Sequence, residues 1–455
     1  MSSAEPQVAA TGVPTTAAAE PQVTEPQALP SVATKHIVVL GASYAGLQAT
    51  HHILRHTISS LPNKASYHVT LVDPSTTWFN RIAAPRAIVS EAALPLDKVL
   101  FPIAEAFKAY PKEQFTFVQG TANALDTTTR AVTISKADGT TESISYYALV
   151  IAVGAASPSP LLGVQGSHEH SVTAIKAFRE AYPNAKSIVI AGGGPAGVET
   201  AGELGQALNG SAGLFAKRPK VIKTKITLVT ADKKLLPVLR PALAAKAEKL
   251  LNRVGVDVVY NTRVESTLPE FAGRIDSAGS LDSVLSATKF TLSDGTVLDA
   301  DIYIPATGLS VNTKWLPRDL LDDRGRVAND KHLRVAKAGA RVYAVGDVGA
   351  HGRGGAFELM QTLPVALVNI DRDLKHDATR ESGNETAPKG KDNEFDNKLQ
   401  ESQLVPIGSK GVGAVFGWKL PSFMVWLIKG RDYMVSRSPG TVNGDAQKKP
   451  IKWTG

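Results

Sequence analysis

From Lys35 the chain turns abruptly apolar. His36-Ile-Val-Val-Leu40 reads as a strand, Gly41-Ala-Ser-Tyr-Ala-Gly46 as a tight turn, and a helix is predicted from about Leu47. The same order returns at Ser187-Ile-Val-Ile-Ala191, Gly192-Gly-Gly-Pro-Ala-Gly197 and the helical stretch Val198–Leu204. Each copy is followed by a second strand of similar wording, His68-Val-Thr-Leu-Val72 and Lys225-Ile-Thr-Leu-Val229. One strand–turn–helix–strand unit of Rossmann type therefore occurs twice.

After the second copy, Asp294-Gly295 marks a hairpin turn, and Ile302-Tyr-Ile304 with Ala306-Thr-Gly308 mirrors Leu149-Val-Ile-Ala152 with Gly154. This likeness predicts that the first unit resumes here. The expected fold is α/β, with two Rossmann-like units, the second inserted in the first, plus a small C-terminal α+β module. The expected boundaries are a disordered tail over 1–34, the first unit over 35–160 and 297–372, and the insert over 161–296. A polar loop or linker over 373–403 and the C-terminal module over 404–455 complete the chain.

Composition, 43% hydrophobic and 20% charged over 455 residues, is that of a globular chain of more than one domain. Apolar runs such as Phe423–Ile428 fall far short of the roughly 20 residues that a membrane-spanning helix needs. Residues 1–34, rich in Ala, Pro, Thr, Gln and Glu, carry neither a secretory core, nor an Arg-rich transit pattern, nor Gly at position two for myristoylation. The expected location is the cytoplasm. The net charge of +8 favours anionic partners, but no dense basic patch or aromatic platform accompanies it, so nucleic acid is not an expected partner. Ten histidines show no ligand spacing, so no metal site is expected: His51-His52 falls on a helix and His168-Glu-His170 in a loop.

Chemistry enters at the turns. Gly41, Ala42, Ser43, Tyr44, Ala45 and Gly46 join a strand to a helix N-terminus, where free N–H groups and the dipole hold a diphosphate. Ser43 replaces the middle glycine of the usual pattern. Asp73 ends the next strand, where a carboxylate accepts hydrogen bonds from a ribose. In the second copy Gly192, Gly194 and Gly197 complete the pattern, but Thr230 stands where the first copy has Asp73. A neutral residue there removes repulsion against a 2′-phosphate, and Lys233 and Lys234 follow closely. NADPH is therefore expected to be accepted at least as readily as NADH, unless both lysines are simply solvated. Val342-Tyr-Ala-Val-Gly346-Asp347 ends a further strand in a carboxylate suited to a ribityl hydroxyl.

Together the two Gly turns, Trp78-Phe-Asn-Arg-Ile-Ala-Ala-Pro-Arg86, Lys233-Lys-Leu-Leu-Pro237, and Gly411-Val-Gly413 through Lys429-Gly-Arg-Asp-Tyr433 resemble the FAD- and NAD(P)-dependent pyridine nucleotide oxidoreductases, in their apoptosis-inducing-factor-like branch. The resemblance runs from residue 35 to about 440. It implies that residues 41–46 hold the FAD diphosphate, that Arg86 contacts FAD, and that Ala122 offers its backbone to the adenine. It further implies that Asp347 binds the ribityl chain and that Glu199 lies near the flavin–nicotinamide junction. The implied cofactors are FAD and NAD(P)H, and the implied activity is electron transfer to a quinone.

The chain has no cysteine, which excludes disulfide relays and flavin–thiolate adducts. Electrons then leave directly to a quinone, to oxygen or to a redox protein. Two other readings stay open: a death-signalling protein that binds nucleic acid, and an NADPH-dependent flavin monooxygenase. The C-terminal stretch Val415–Trp418 and Phe423–Ile428, beside Lys429, Arg431 and Arg437, has the spacing of a core stripe. Peripheral membrane contact is its alternative use.

Overall fold

The computed structural model describes Met1 and residues 34–276, 279–383, 388, 390–398 and 401–451. The tail expected over 1–34 lies outside them apart from its two end residues. Residues 35–455 form one unit.

The first sheet has seven strands. In spatial order they are Val342–Ala344, Ala148–Ile151, Lys35–Leu40, Tyr67–Asp73, Phe115–Asp126, Ala131–Lys136 and Thr141–Ser145. The first five run parallel and the last two pair antiparallel. Ile37, Val39, Val69 and Leu71 bury one face of this sheet against helices Tyr44–His52 and Ala356–Glu381. Val38, Leu40, Val72, Leu149 and Ile151 pack on the other side, as strand alternation requires.

A second, all-parallel sheet has the order Val256–Val259, Lys225–Val229, Ser187–Ala191 and Ile302–Pro305. A three-stranded antiparallel sheet, Val264–Leu268, Thr288–Leu292 and Val297–Ala300, follows it in sequence.

This pairing corrects the boundary expected at 296/297. Ile302–Pro305 lies beside Ser187–Ala191, as Ala148–Ile151 lies beside Lys35–Leu40. The likeness between those segments is a third repeated strand, which belongs to the second copy, and does not mark the return of the first. The chain crosses between the two halves on a short antiparallel ribbon, where Ala155 pairs with Val311 and Ala156 with Ser310.

The linker expected from 373 also begins later. Helix Ala356–Glu381 runs through that boundary. Asp373, Asp377 and Glu381, four residues apart on one helix face, take Arg334, Arg341 and Lys35 as ion-pair partners. The polar residues that read as a loop are the helix's binding face for the first sheet. Of the remaining linker, 384–387, 389, 399 and 400 lie outside the described residues.

The C-terminal module is a hairpin, Gln403–Ile407 with Lys410–Val415, extended by Trp418–Lys419 and followed by short helical turns. It rests on helix Pro195–Asn209, where Gly202 lets the hairpin backbone come close: a Cβ there would stand 3.0 Å from Ile407 Cα. The apolar stripe expected to pack as core divides. Val425 is fully buried, whereas Trp418 is 79% and Phe423 67% exposed.

Candidate functional site

Both Gly turns are built by the same backbone device. Gly41 (φ +95°) donates its N–H to Val72 O at 2.7 Å, and Gly192 (φ +125°) donates to Val229 O at 2.7 Å. A Cβ would stand 2.5 Å from Ala152 O at Gly41 and 2.1 Å from Ala306 O at Gly192. At Gly46 and Gly197 it would fall 1.8 Å and 2.0 Å from the carbonyl oxygens of Gly41 and Gly192. These two later glycines let each helix abut its turn and do not themselves line the site, which narrows the role expected for them.

The helices that follow, Tyr44–His52 and Pro195–Asn209, start at Ser43 and Gly194 without side-chain caps, so their first N–H groups face outward. Both starts open into one cleft of about 1840 Å³. Roughly 300–1,000 Å³ suffices for a drug-sized ligand, so this volume suits two dinucleotides. Ala42, Ser43, Tyr44, Ala45, Asp73, Ala122, Gly154, Thr230 and Asp347 line it together with Glu199.

Within the cleft the first-copy end fits a flavin nucleotide. Asp73 accepts the N–H groups of Ala42 (2.6 Å) and Ser75 (2.8 Å), and burial pushes its carboxyl up to about 6. Asp347 Oδ1 accepts the Gly355 N–H at 2.7 Å. Tyr44 donates to Asn80 Oδ1 at 2.7 Å and sits edge-on to Trp78, with ring centroids 5.0 Å apart. Trp78 is 2% exposed and lines the cleft, yet its indole N–H has no hydrogen-bond partner among the described residues. An orphaned buried donor on a side chain that lines the cleft is one that an acceptor on a ligand, such as a flavin carbonyl, would satisfy.

A buried charge cluster reaches the cleft through Glu199 and Lys429. Glu199 pairs with Lys429 Nζ at 2.5 Å, and Lys429 also donates to Leu404 O at 3.3 Å. Burial pushes the Glu199 carboxyl up to about 7, while Lys429 pulls it back down. One helical turn on, Glu203 takes Arg86 through two bonds of 2.9 Å each and the Tyr433 hydroxyl at 3.2 Å. The Arg86 guanidinium lies 4.6 Å from the centre of the Tyr433 ring.

Two residues expected to contact ligands lie outside the cleft lining. Arg86 does not line the cleft: its fork is used by Glu203 and by Arg431 O at 3.1 Å, so it ties the first half to the second and to the C-terminal module. Lys233 is exposed outside the cleft lining, and Lys234 donates to Pro237 O and Leu239 O. Arg263 and Arg274 line the cleft, as do Thr230 and Asp232.

Sequence reasoning passed over Lys429 as a site residue because its partner lies 230 positions away. Asn80 lies in the Trp78–Arg86 motif and accepts the Tyr44 hydroxyl. His168 and His170, expected in a loop, open helix His168–Ala181. His51 and His52 are fully buried, and His51 holds Val442 O at 2.8 Å.

Residues 35–367 match the family described as pyridine nucleotide-disulphide oxidoreductase. The chain is 47% identical over 412 residues to oxidoreductase phnG of Penicillium herquei, covering 90% of this chain and 96% of that one. It is 25% identical to human ferroptosis suppressor protein 1, over 89% and 94% of the two chains. Among solved structures, the sulfide:quinone oxidoreductase of Aquifex aeolicus shares the fold with a TM-score of 0.62 at 16% identity, over 90% and 92%. The two nucleotide turns, the single cleft and these likenesses agree: the chain belongs to the pyridine nucleotide-disulphide oxidoreductase family and is an NAD(P)H-dependent flavoprotein oxidoreductase.

Proposed function

We propose that the chain uses FAD to carry electrons from NAD(P)H to a quinone-type acceptor. The observation that carries this reading is the single cleft into which both Gly turns and the Glu199–Lys429 pair open. FAD, when bound, supplies two-electron redox chemistry between a nicotinamide and an acceptor.

The chain's own residues bind, orient and move protons. The turn at 41–45 with Asp73, Asp347 and Trp78 holds the flavin nucleotide, and the turn at 192–196 with Thr230 holds the coenzyme. Phe79, Ile82, Leu162 and Val164 give the same cleft an apolar wall that suits a lipophilic ring. Reducing a quinone to a quinol consumes protons as well as electrons. Glu199, whose carboxyl burial pushes up to about 7, exchanges its proton near neutral pH, and Lys429 fixes its orientation.

With no cysteine in the chain, the disulfide acceptor in the family's description has no counterpart here. A small acceptor taking electrons straight from the flavin is the simplest substitute.

The test is anaerobic stopped-flow absorbance of the flavin band, with NADH or NADPH added first and a soluble ubiquinone analogue second. Bleaching followed by fast quinone-dependent recovery supports the reading. Bleaching without recovery would shift the acceptor to oxygen, a hydroxylated substrate or a redox protein.

A further inference from the structure

Between helix Pro195–Asn209 and strand Lys225–Val229 the chain makes a loop with an unusual surface. Its tip exposes two adjacent large apolar side chains, Leu214 at 85% and Phe215 at 96%. Lys217, Arg218, Lys220 and Lys223 follow within the same loop, and residues 210–224 contain no acid.

The exposure does not come from fraying. Arg253 donates to the carbonyl oxygens of Ala212 (2.9 Å), Gly213 (3.1 Å) and Ala216 (2.6 Å), and Ala212 N–H returns a bond to Arg253 O at 2.8 Å. Ser211 Oγ bonds Gln206 Oε1 at 2.6 Å, and Arg218 pairs with Asp257 at 2.5 Å. The loop is pinned on both sides of a tip that points away from the protein.

The surroundings extend the positive charge. The turn of the C-terminal hairpin packs on the same Gln206 and on Val254, next to Arg253, at Gly408. Lys410 follows that turn, and Lys246 of helix Pro241–Asn252 has its charge disfavoured first by burial and then by Lys419 and Lys410 nearby.

We propose that loop 210–224 docks the protein on an anionic lipid surface. Leu214 and Phe215 enter the boundary between headgroups and acyl chains, and Lys217, Lys220, Lys223 and Lys410 meet the headgroups. A convex tip of two residues offers far less than the roughly 800 Å² per partner of a standard protein interface, whereas a membrane accepts a protrusion. Charge complementarity selects anionic lipid. This inference goes beyond the proposed electron transfer and does not depend on it.

The test is flotation of the full chain with vesicles of phosphatidylcholine alone and of phosphatidylcholine with phosphatidylglycerol. The wild type is expected to float with the anionic vesicles, more weakly at high salt. The variant L214S/F215S, altered at exposed positions, is expected to lose about tenfold in partitioning while keeping its melting temperature and flavin content. The charge variant K217E/K220E should fail on anionic vesicles. Absence of wild-type binding, or binding that survives L214S/F215S, would overturn the proposal. So would capture of an acidic protein by this loop without vesicle binding.

Discussion

Asp73 and Thr230 close the same strand in two copies of one unit and use their side chains differently. Asp73 takes the N–H groups of Ala42 and Ser75 on its carboxylate, while Thr230 Oγ1 takes the N–H of Asp232 at 3.3 Å. A carboxylate at that point repels a phosphate on the ribose and a hydroxyl does not. NADPH is therefore expected to bind no more weakly than NADH. Thr230→Asp is expected to weaken NADPH about tenfold or more and to leave NADH within a few-fold, read as dissociation constants by fluorescence titration. A strong NADH preference in the wild type would remove the idea.

Glu199 gives a second prediction. With its carboxyl at about 7, turnover should fall as pH rises through that value and the proton is lost. Glu199→Gln should lower turnover and flatten the profile; an unchanged profile would deny Glu199 the proton-carrying role. Stability moves in the same direction. Between about 4.5 and about 7 the folded chain holds a proton that the unfolded chain has released, so this group's contribution declines as pH rises.

His51 behaves in the opposite sense. Its ring stacks on Phe107, with centroids 4.3 Å apart, and its nitrogens face Tyr110 OH and Val442 O. Burial lowers it from 6.5 to about 4, so the unfolded chain takes up a proton that the folded one refuses. Its contribution is complete above pH 6.5 and is lost as pH falls towards 4, by at most about 3 kcal/mol. Urea unfolding at neutral and mildly acidic pH, compared with His51→Phe, reads this slope.

Arg86→Met separates a structural tie from a cofactor contact. It strips the guanidinium from Glu203, which is 8% exposed, and should cost about 3 kcal/mol. Flavin bound per folded molecule should stay the same, and R86M/E203M should recover much of the loss. A drop in flavin affinity at unchanged stability would restore the contact expected from the resemblance.

Trp78→Phe keeps an aromatic ring and removes the unpartnered indole N–H. Flavin affinity is expected to fall about fivefold, the worth of one hydrogen bond, as measured by titrating apoprotein. No change would mean that no acceptor on the ligand reaches that nitrogen.

The parts legible in sequence were those fixed by local chemistry. The two glycine turns, their flanking strands and Asp73 need a few consecutive residues each, and their pattern states its purpose. What escaped depends on distant pairing. Ile302–Pro305 looked like the first unit because strands at equivalent places in a duplicated unit share a wording, and sheet membership follows from register rather than composition. Asp373, Asp377 and Glu381 looked like linker because their arginine and lysine partners lie elsewhere in the chain. Arg86 lies in a motif quoted for the resemblance, but its guanidinium partner Glu203 is 117 residues away.

Both Gly turns have left the ribosome by Gly197, and the strands of both main sheets are complete by Ala344, but Lys429 emerges only afterwards. A nascent or prematurely terminated chain thus passes through a form that has its nucleotide turns but leaves Glu199 without its ammonium partner. In that form, nucleotide capture would be uncoupled from a properly held proton. Synthesis of Lys429 is what supplies that partner.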